Sequence, residues 1–267
     1  MKLSFFKIMS TLALTVLLLI IYLPYTYGET TDNSCFSTQW PHELSKLSPD
    51  PTVRYGKLPN GFRYVLKHNE TPRDRVALYL NVQVGSMYEK DNERGFAHYL
   101  EHMLFNGTTH FPPGKLVKYF QEIGMNFGAD TNAYTTFENT VYTLVLPRSD
   151  IEEIKKGFLV IQDYAEGALL LPEEVERERG VILAEKRTRD SVEYRTHVAT
   201  NKNALAGTLL AERQPIGIDK TLKAVNSDAL KSFYDKWYRP DNMILFIVGD
   251  IDVQAVEAQP GDRLLLC

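Results

Sequence analysis

The sequence predicts an α+β fold, a largely antiparallel β-sheet packed by helices in two layers. Three observations predict it. Runs rich in β-branched and aromatic residues lie near residues 53–84, 126–146 and 243–248. Segments with helical spacing fall in blocks between these runs instead of alternating with them one by one, which is the α+β order and not the βαβ order. No internal repeat divides the 267 residues, a length that allows one large domain or two small ones.

Each element has a local cause. Val53–Lys57 and Phe62–Lys67 are strand-like runs joined by the turn signal Leu58-Pro59-Asn60-Gly61. The run 76–84 is long enough to cross a sheet. From Asp91 to Phe105 the spacing becomes helical. Leu116–Ile123 is a short amphipathic helix closed by Gly124. Asn126–Tyr134 and Thr140–Leu146 are two further strands. Asp150 caps a helix to Gly167, and Pro172 sits in the first turn of a long charged helix to Asp190. Ser191–Ala206 continues helical. Ser227 caps a helix through Tyr238, stopped by Pro240, and Met243–Val248 is a buried strand ending at Gly249.

The chemistry concentrates in His98-Tyr99-Leu100-Glu101-His102. On a helix, His98 and His102 stand one turn apart on one face, and Glu101 shares it. Two imidazoles so placed can hold a zinc ion, and the carboxylate beside them can take a proton from a water whose pKa the metal lowers to about 7. Two helical histidines with ordinary packing or solvent contacts are the plainer alternative. A catalytic zinc needs a third protein ligand and an open position. Glu178 and Glu185 lie two turns apart on the helix from Pro172, flanking Val181 and Ile182, which mark a buried stripe. Carboxylates beside such a stripe need a cation or a hydrogen-bond partner. Periodicity leaves open whether Glu185 has that role; Glu173, Glu174 and Glu176 read as a solvated face.

The motif His-x-x-Glu-His and its surroundings resemble the pitrilysin–insulinase family of zinc peptidases, especially its bacterial exported members. The resemblance rests on Leu58-Pro-Asn-Gly-Phe-Arg-Tyr-Val-Leu66, Val84-Gly-Ser-Met-Tyr-Glu89, Gly95 through Thr108, Asn132-Ala-Tyr-Thr135, Glu178 through Glu185, and Tyr238-Arg-Pro-Asp-Asn242 through Gly249-Asp250. It implies one zinc ion per chain, with His98, His102 and Glu185 as ligands and Glu101 as general base. Glu178 would orient the site from behind the ligands. Asn132 and Ala133 would lie on an edge strand that takes up the substrate through backbone hydrogen bonds. The implied substrate is a peptide or an unfolded polypeptide. Members usually carry a second homologous half or pair with another chain, so a second half or a homodimer partner is expected; the length here suits the N-terminal catalytic half only.

The termini carry further expectations. Lys2 and Lys7 precede an apolar run from Ile8 to Leu23, and no acid occurs in the first 28 residues. The run is shorter than the ~20 residues of a membrane span. Residues 1–28 therefore read as a secretory signal peptide, with Thr26 and Gly28 at the cleavage site, or as an uncleaved anchor. This predicts a periplasmic or extracellular protein, with membrane contact only through that segment. Residues 29–52 read as a leader or linker, and 53–257 as the zinc-binding peptidase domain. The ending 258–267 is atypical and suggests a truncated or frame-shifted product. Cys35 and Cys267 could pair in an oxidising compartment. A formal net charge of −4 argues against a nucleic-acid coat, and 44% hydrophobic residues argue against disorder. The second functional class is a zinc-binding half-protein with little activity alone, acting as a subunit or remnant.

Overall fold

The computed structural model describes residues 39–126 and 128–258. The expectations for residues 1–28, the two cysteines and the tail beyond Ala258 lie outside the described residues.

Six strands form one sheet: β1 (Val53–Lys57), β2 (Arg63–His68), β3 (Val76–Val82), β4 (Thr131–Thr135), β5 (Thr140–Leu146) and β6 (Met243–Gly249). Their order is β1-β2-β6-β3-β5-β4. Every neighbouring pair is antiparallel except β2 and β6, which run parallel. That single parallel pair is made by the last strand, which returns after all the long helices. β3 shows why the sheet has two unlike faces: Val76, Leu78, Leu80 and Val82 are buried, while Tyr79 between them is exposed.

Eight α-helices occur among the described residues: α1 (Phe96–Met103), α2 (Lys115–Glu122), α3 (Ile151–Glu166), α4 (Pro172–Arg189), α5 (Val192–Ala204), α6 (Asp219–Ala224), α7 (Ser227–Trp237) and α8 (Val253–Glu257). No helix among the described residues is long and apolar enough to cross a membrane.

Helix α1 has only eight residues, and seven of them are buried. So short a helix is not stable by itself and must be held by its surroundings. Glu89 does part of this: its carboxylate accepts hydrogen bonds from the backbone N–H of Gly95 and of Ala97, both at 2.9 Å. These donors would otherwise be orphaned at the helix start. Gly95 has φ 98°, and a Cβ on Gly217 would lie 2.6 Å from its Cα, so two backbones meet where no side chain fits. In the middle of the helix, the Tyr99 hydroxyl donates to the carbonyl of Val175 and locks α1 against α4.

Several boundaries depart from expectation for identifiable reasons. The strand expected over 126–134 begins only at Thr131, because Asp130 accepts from the N–H of Asn126 and closes a turn. The expected continuation after Asp190 is a new helix, capped by Ser191, whose hydroxyl accepts from Tyr194 N–H at 3.1 Å. The cap of α7 is Asn226, not Ser227; Asn226 is still extended and accepts from Ala229 N–H, while the Ser227 hydroxyl donates to Leu170. Glu174 is buried and paired with Arg177 instead of solvated, and Val181 is half exposed, leaving Ile182 as the buried member of its stripe. In the stretch read as leader or linker, Trp40 is buried against Val65 and Ile244 on the sheet face away from the helices, with Tyr55 and Phe246 beside it. Tertiary packing thus begins upstream of Val53.

Candidate metal centre

Helices α1 and α4 cross so that the inner faces of both meet. His98 and His102 stand one turn apart on α1, their rings 4.7 Å apart and close to perpendicular. Glu178 and Glu185 project from α4 toward them. The Oε2 of Glu185 lies 3.5 Å from Nε2 of His98 and 3.3 Å from Nε2 of His102. One ligand atom from each of the three residues falls within 4.8 Å of the others. The helix spacing makes the first two neighbours; only the α1–α4 crossing brings the third.

This donor set suits zinc. Two imidazole nitrogens and one carboxylate oxygen are the borderline donors that zinc takes in catalytic sites, with a fourth position left open. The Oε2 of Glu185 is buried and makes no hydrogen bond. A buried carboxylate oxygen without a donor is costly. A cation held by His98, His102 and Glu185 would remove the cost.

The electrostatics agree with a cation-seeking site. The imidazoles of His102 and then His98, close to its Oε2, hold the carboxyl of Glu185 well below the usual range. Burial opposes protonation of His102, yet its hydrogen bond to Glu178 and the close carboxylate of Glu185 outweigh burial and raise its pKa to about 9. Without metal, a proton on His102 meets the charge demand of the two carboxylates.

The remaining residues expected from sequence line the same cleft of about 660 Å³. Glu178 sits behind His102, its Oε1 2.7 Å from Nδ1. Glu101 is buried, and its Oε2 accepts from the hydroxyl of Thr135 at 2.6 Å. Asn132 and Ala133 lie on β4, which pairs with β5 on one side and ends the sheet on the other. Phe105, Asn106, Tyr134, Thr135 and Arg189 also line the cleft and were not singled out by sequence. Two of them had a signal. Asn106 follows His102 by four residues and Arg189 follows Glu185 by four, the spacing of one turn. The Arg189 guanidinium contacts Oε1 of Glu185, the oxygen turned away from the histidines.

Comparison with known proteins gives this arrangement a family. The family described as "Insulinase (Peptidase family M16)" matches residues 64–213, more than half of the chain and the whole of the candidate centre. The chain belongs to the insulinase family of peptidases. A second description, "Peptidase M16 inactive domain", matches residues 224–259. The chain is 40% identical over 212 residues to "Probable zinc protease PqqL" of Haemophilus influenzae, covering 79% of this chain and 23% of the relative. It is 38% identical over 218 residues to the Escherichia coli protein of that name, covering 82% and 23%. The crystal structure of the first half of the periplasmic protease PqqL from Escherichia coli superposes with a TM-score of 0.79 at 38% identity, covering 82% of this chain and 47% of that one. The insulinase-family chain described here thus spans about a quarter of the length of the curated relatives it matches.

Proposed function

We propose that this chain is the zinc-binding catalytic domain of an exported metalloendopeptidase that cleaves peptides or unfolded polypeptide segments. The observation that carries this is the convergence of His98, His102 and Glu185 within 4.8 Å beside the buried carboxylate of Glu101. One zinc ion held by those three residues would supply Lewis-acid activation of water and of the scissile carbonyl. Glu101 is the general base: it shares the histidine face of α1, and the Thr135 hydroxyl fixes one of its oxygens. Having accepted a proton, it is placed to return that proton to the leaving amine. Glu178 holds the ring of His102 through Nδ1, which directs Nε2 toward Glu185.

The edge of β4 supports a strand-like substrate. An extended peptide added beside Asn132 and Ala133 pairs through its backbone, which is sequence-tolerant and demands an unfolded segment. Export is supported by the apolar, acid-free start of the sequence and by the periplasmic description of the Escherichia coli relative. The relatives' greater length supports a further peptidase segment or a second chain as the partner that completes the substrate chamber.

The test is cleavage of a quenched-fluorescent peptide library by the purified 267-residue chain, with zinc content measured alongside. Cleavage that a chelator abolishes, and that Glu101→Gln abolishes while zinc stays bound, is the expected result. Zinc near one per chain with no chelator-sensitive cleavage would mean that this chain binds metal but needs its missing partner for turnover. Unchanged turnover in Glu101→Gln would remove Glu101 from the role of base.

A further inference from the structure

Glu178 has both carboxylate oxygens tied. Oε1 lies 2.7 Å from Nδ1 of His102, and Oε2 accepts a hydrogen bond from Nδ2 of Asn106, also at 2.7 Å. A carboxylate anchored at one oxygen can still swing about its bond to the chain; anchored at both, it presents a fixed plane to its partner. The plane of the His102 ring follows from that of Glu178, and with it the direction of Nε2.

Asn106 is itself held in place. It lies just past the end of α1, and its backbone N–H donates to the carbonyl of Met103 at 2.9 Å. The next residue, Gly107, has φ 128°, and a Cβ there would come within 3.1 Å of Pro113. The carbonyl of Gly107 accepts from Leu169 N–H. The Asn106 amide therefore leaves a backbone that is pinned on both sides. The residue type matters as well. Only a donor suits the second oxygen of an ionised carboxylate; an aspartate of the same shape would set two acceptors face to face.

We propose, on the premise that His98, His102 and Glu185 hold zinc, that Asn106 is a positioning residue for the metal centre, acting on His102 through Glu178. It does not touch the metal. It fixes the carboxylate that fixes the imidazole, and so sets how well Nε2 of His102 points at the ion.

The test is the zinc affinity of the full chain, read by competition with a fluorescent chelator, for wild type, Asn106→Leu and Asn106→Asp. Leucine keeps the volume and removes the donor; aspartate keeps the shape and reverses the polarity. Loss of a hydrogen bond made directly to a metal ligand weakens metal binding by about 10–100-fold. Asn106 acts one bond further out, so a loss at the lower end, about tenfold, is expected, and the aspartate variant should be the weaker of the two. The visible absorption bands of the cobalt-loaded variants should also shift, which a purely structural side chain would not cause. Asn106→Ser, whose hydroxyl is too short to reach Glu178, gives the same comparison if the leucine variant does not fold. Variants that bind zinc as tightly as wild type, with unchanged cobalt bands, overturn the proposal. So does a change confined to KM, which would make Asn106 a substrate contact. A wild-type chain that takes up no zinc overturns the premise and the proposal together, so the two failures are distinct.

Discussion

Nδ1 of His102 lies 2.7 Å from Oε1 of Glu178, across the crossing of α1 and α4. The contact occupies the ring nitrogen that faces away from Glu185 and fixes which nitrogen is free to bind a metal. Replacing Glu178 by alanine leaves Nδ1 without an acceptor and frees the ring. Zinc affinity should fall by about 10–100-fold. Glu178→Gln keeps an acceptor oxygen and should fall less. Chelator competition measures both.

The same contacts make metal binding pH-dependent. In the metal-free protein His102 titrates near 9, so at neutral pH it carries a proton that zinc must displace. Zinc affinity should therefore rise with pH until His102 is neutral, near 9. Calorimetry in buffers of different ionisation enthalpy should show proton release on binding at pH 7. The stability of the metal-free protein moves the other way. The folded pKa of His102 lies above its ordinary 6.5, so its contribution is fully present below 6.5 and is lost as pH rises through about 9. Glu185 is depressed from its ordinary 4.5. Its contribution is present above 4.5 and is lost as pH falls below that. Denaturant titrations across this range check both signs.

Glu89 gives a second pH signature at the start of the same helix. Burial pushes its carboxyl up to about 8, against the two backbone N–H donors of Gly95 and Ala97. The folded state then holds this proton more tightly than the unfolded state, whose ordinary value is 4.5. This raised carboxylate makes stability fall as pH rises from 4.5 to 8. Glu89→Gln should flatten that part of the stability curve. Glu89→Ala leaves two helix-start donors unpaired and should cost roughly 1–3 kcal/mol for each, read as a lower denaturant midpoint.

How much of this was legible in the sequence follows from how local each feature is. Two histidines and a glutamate on one helix face need only the helical period. Val53–Lys57 and Thr140–Leu146 have the bounds that composition suggested, because both runs are bordered by clear turn chemistry. Glu185 was open on periodicity, since only the α1–α4 crossing decides which of the acids on α4 face inward. Glu174 shows the same blindness in reverse: it is buried while the exposed Arg177 one turn on reaches back to pair with it, and no one-dimensional pattern reports that pairing. Asn106 and Thr135 act through residues 72 and 34 positions away in the chain, so their roles exist only once the sheet and helices are assembled.

Trp40 was hidden for another reason, a polar and proline-containing neighbourhood that resembles a linker. Its ring packs on Val65 and Ile244, with the guanidinium of Arg63 5.5 Å from the ring centre. Trp40→Ala should destabilise the domain by about 3 kcal/mol, the low end of the range for a large buried aromatic. Only one other tryptophan, Trp237, is present, so unfolding of the variant can be followed by the fluorescence that remains.

Thr135 joins the proposed base to the proposed substrate edge. Its hydroxyl donates to Oε2 of Glu101 at 2.6 Å, and its backbone is part of β4. Thr135→Val has nearly the same shape and β-branching, so the strand should survive while the hydrogen bond is lost. Glu101 would then keep its charge but gain a free oxygen and rotational freedom. Since a well-placed base contributes 10²–10⁴-fold, loss of its tether should lower kcat by roughly tenfold. KM should change little, because backbone pairing along β4 is untouched. Zinc affinity should also hold, because the Thr135 hydroxyl donates to Glu101 and not to a proposed ligand. A lowered zinc affinity in Thr135→Val would instead show that β4 supports the metal centre itself, through Glu101, and not only the base. The three readouts together place Thr135 on the base, the substrate or the metal.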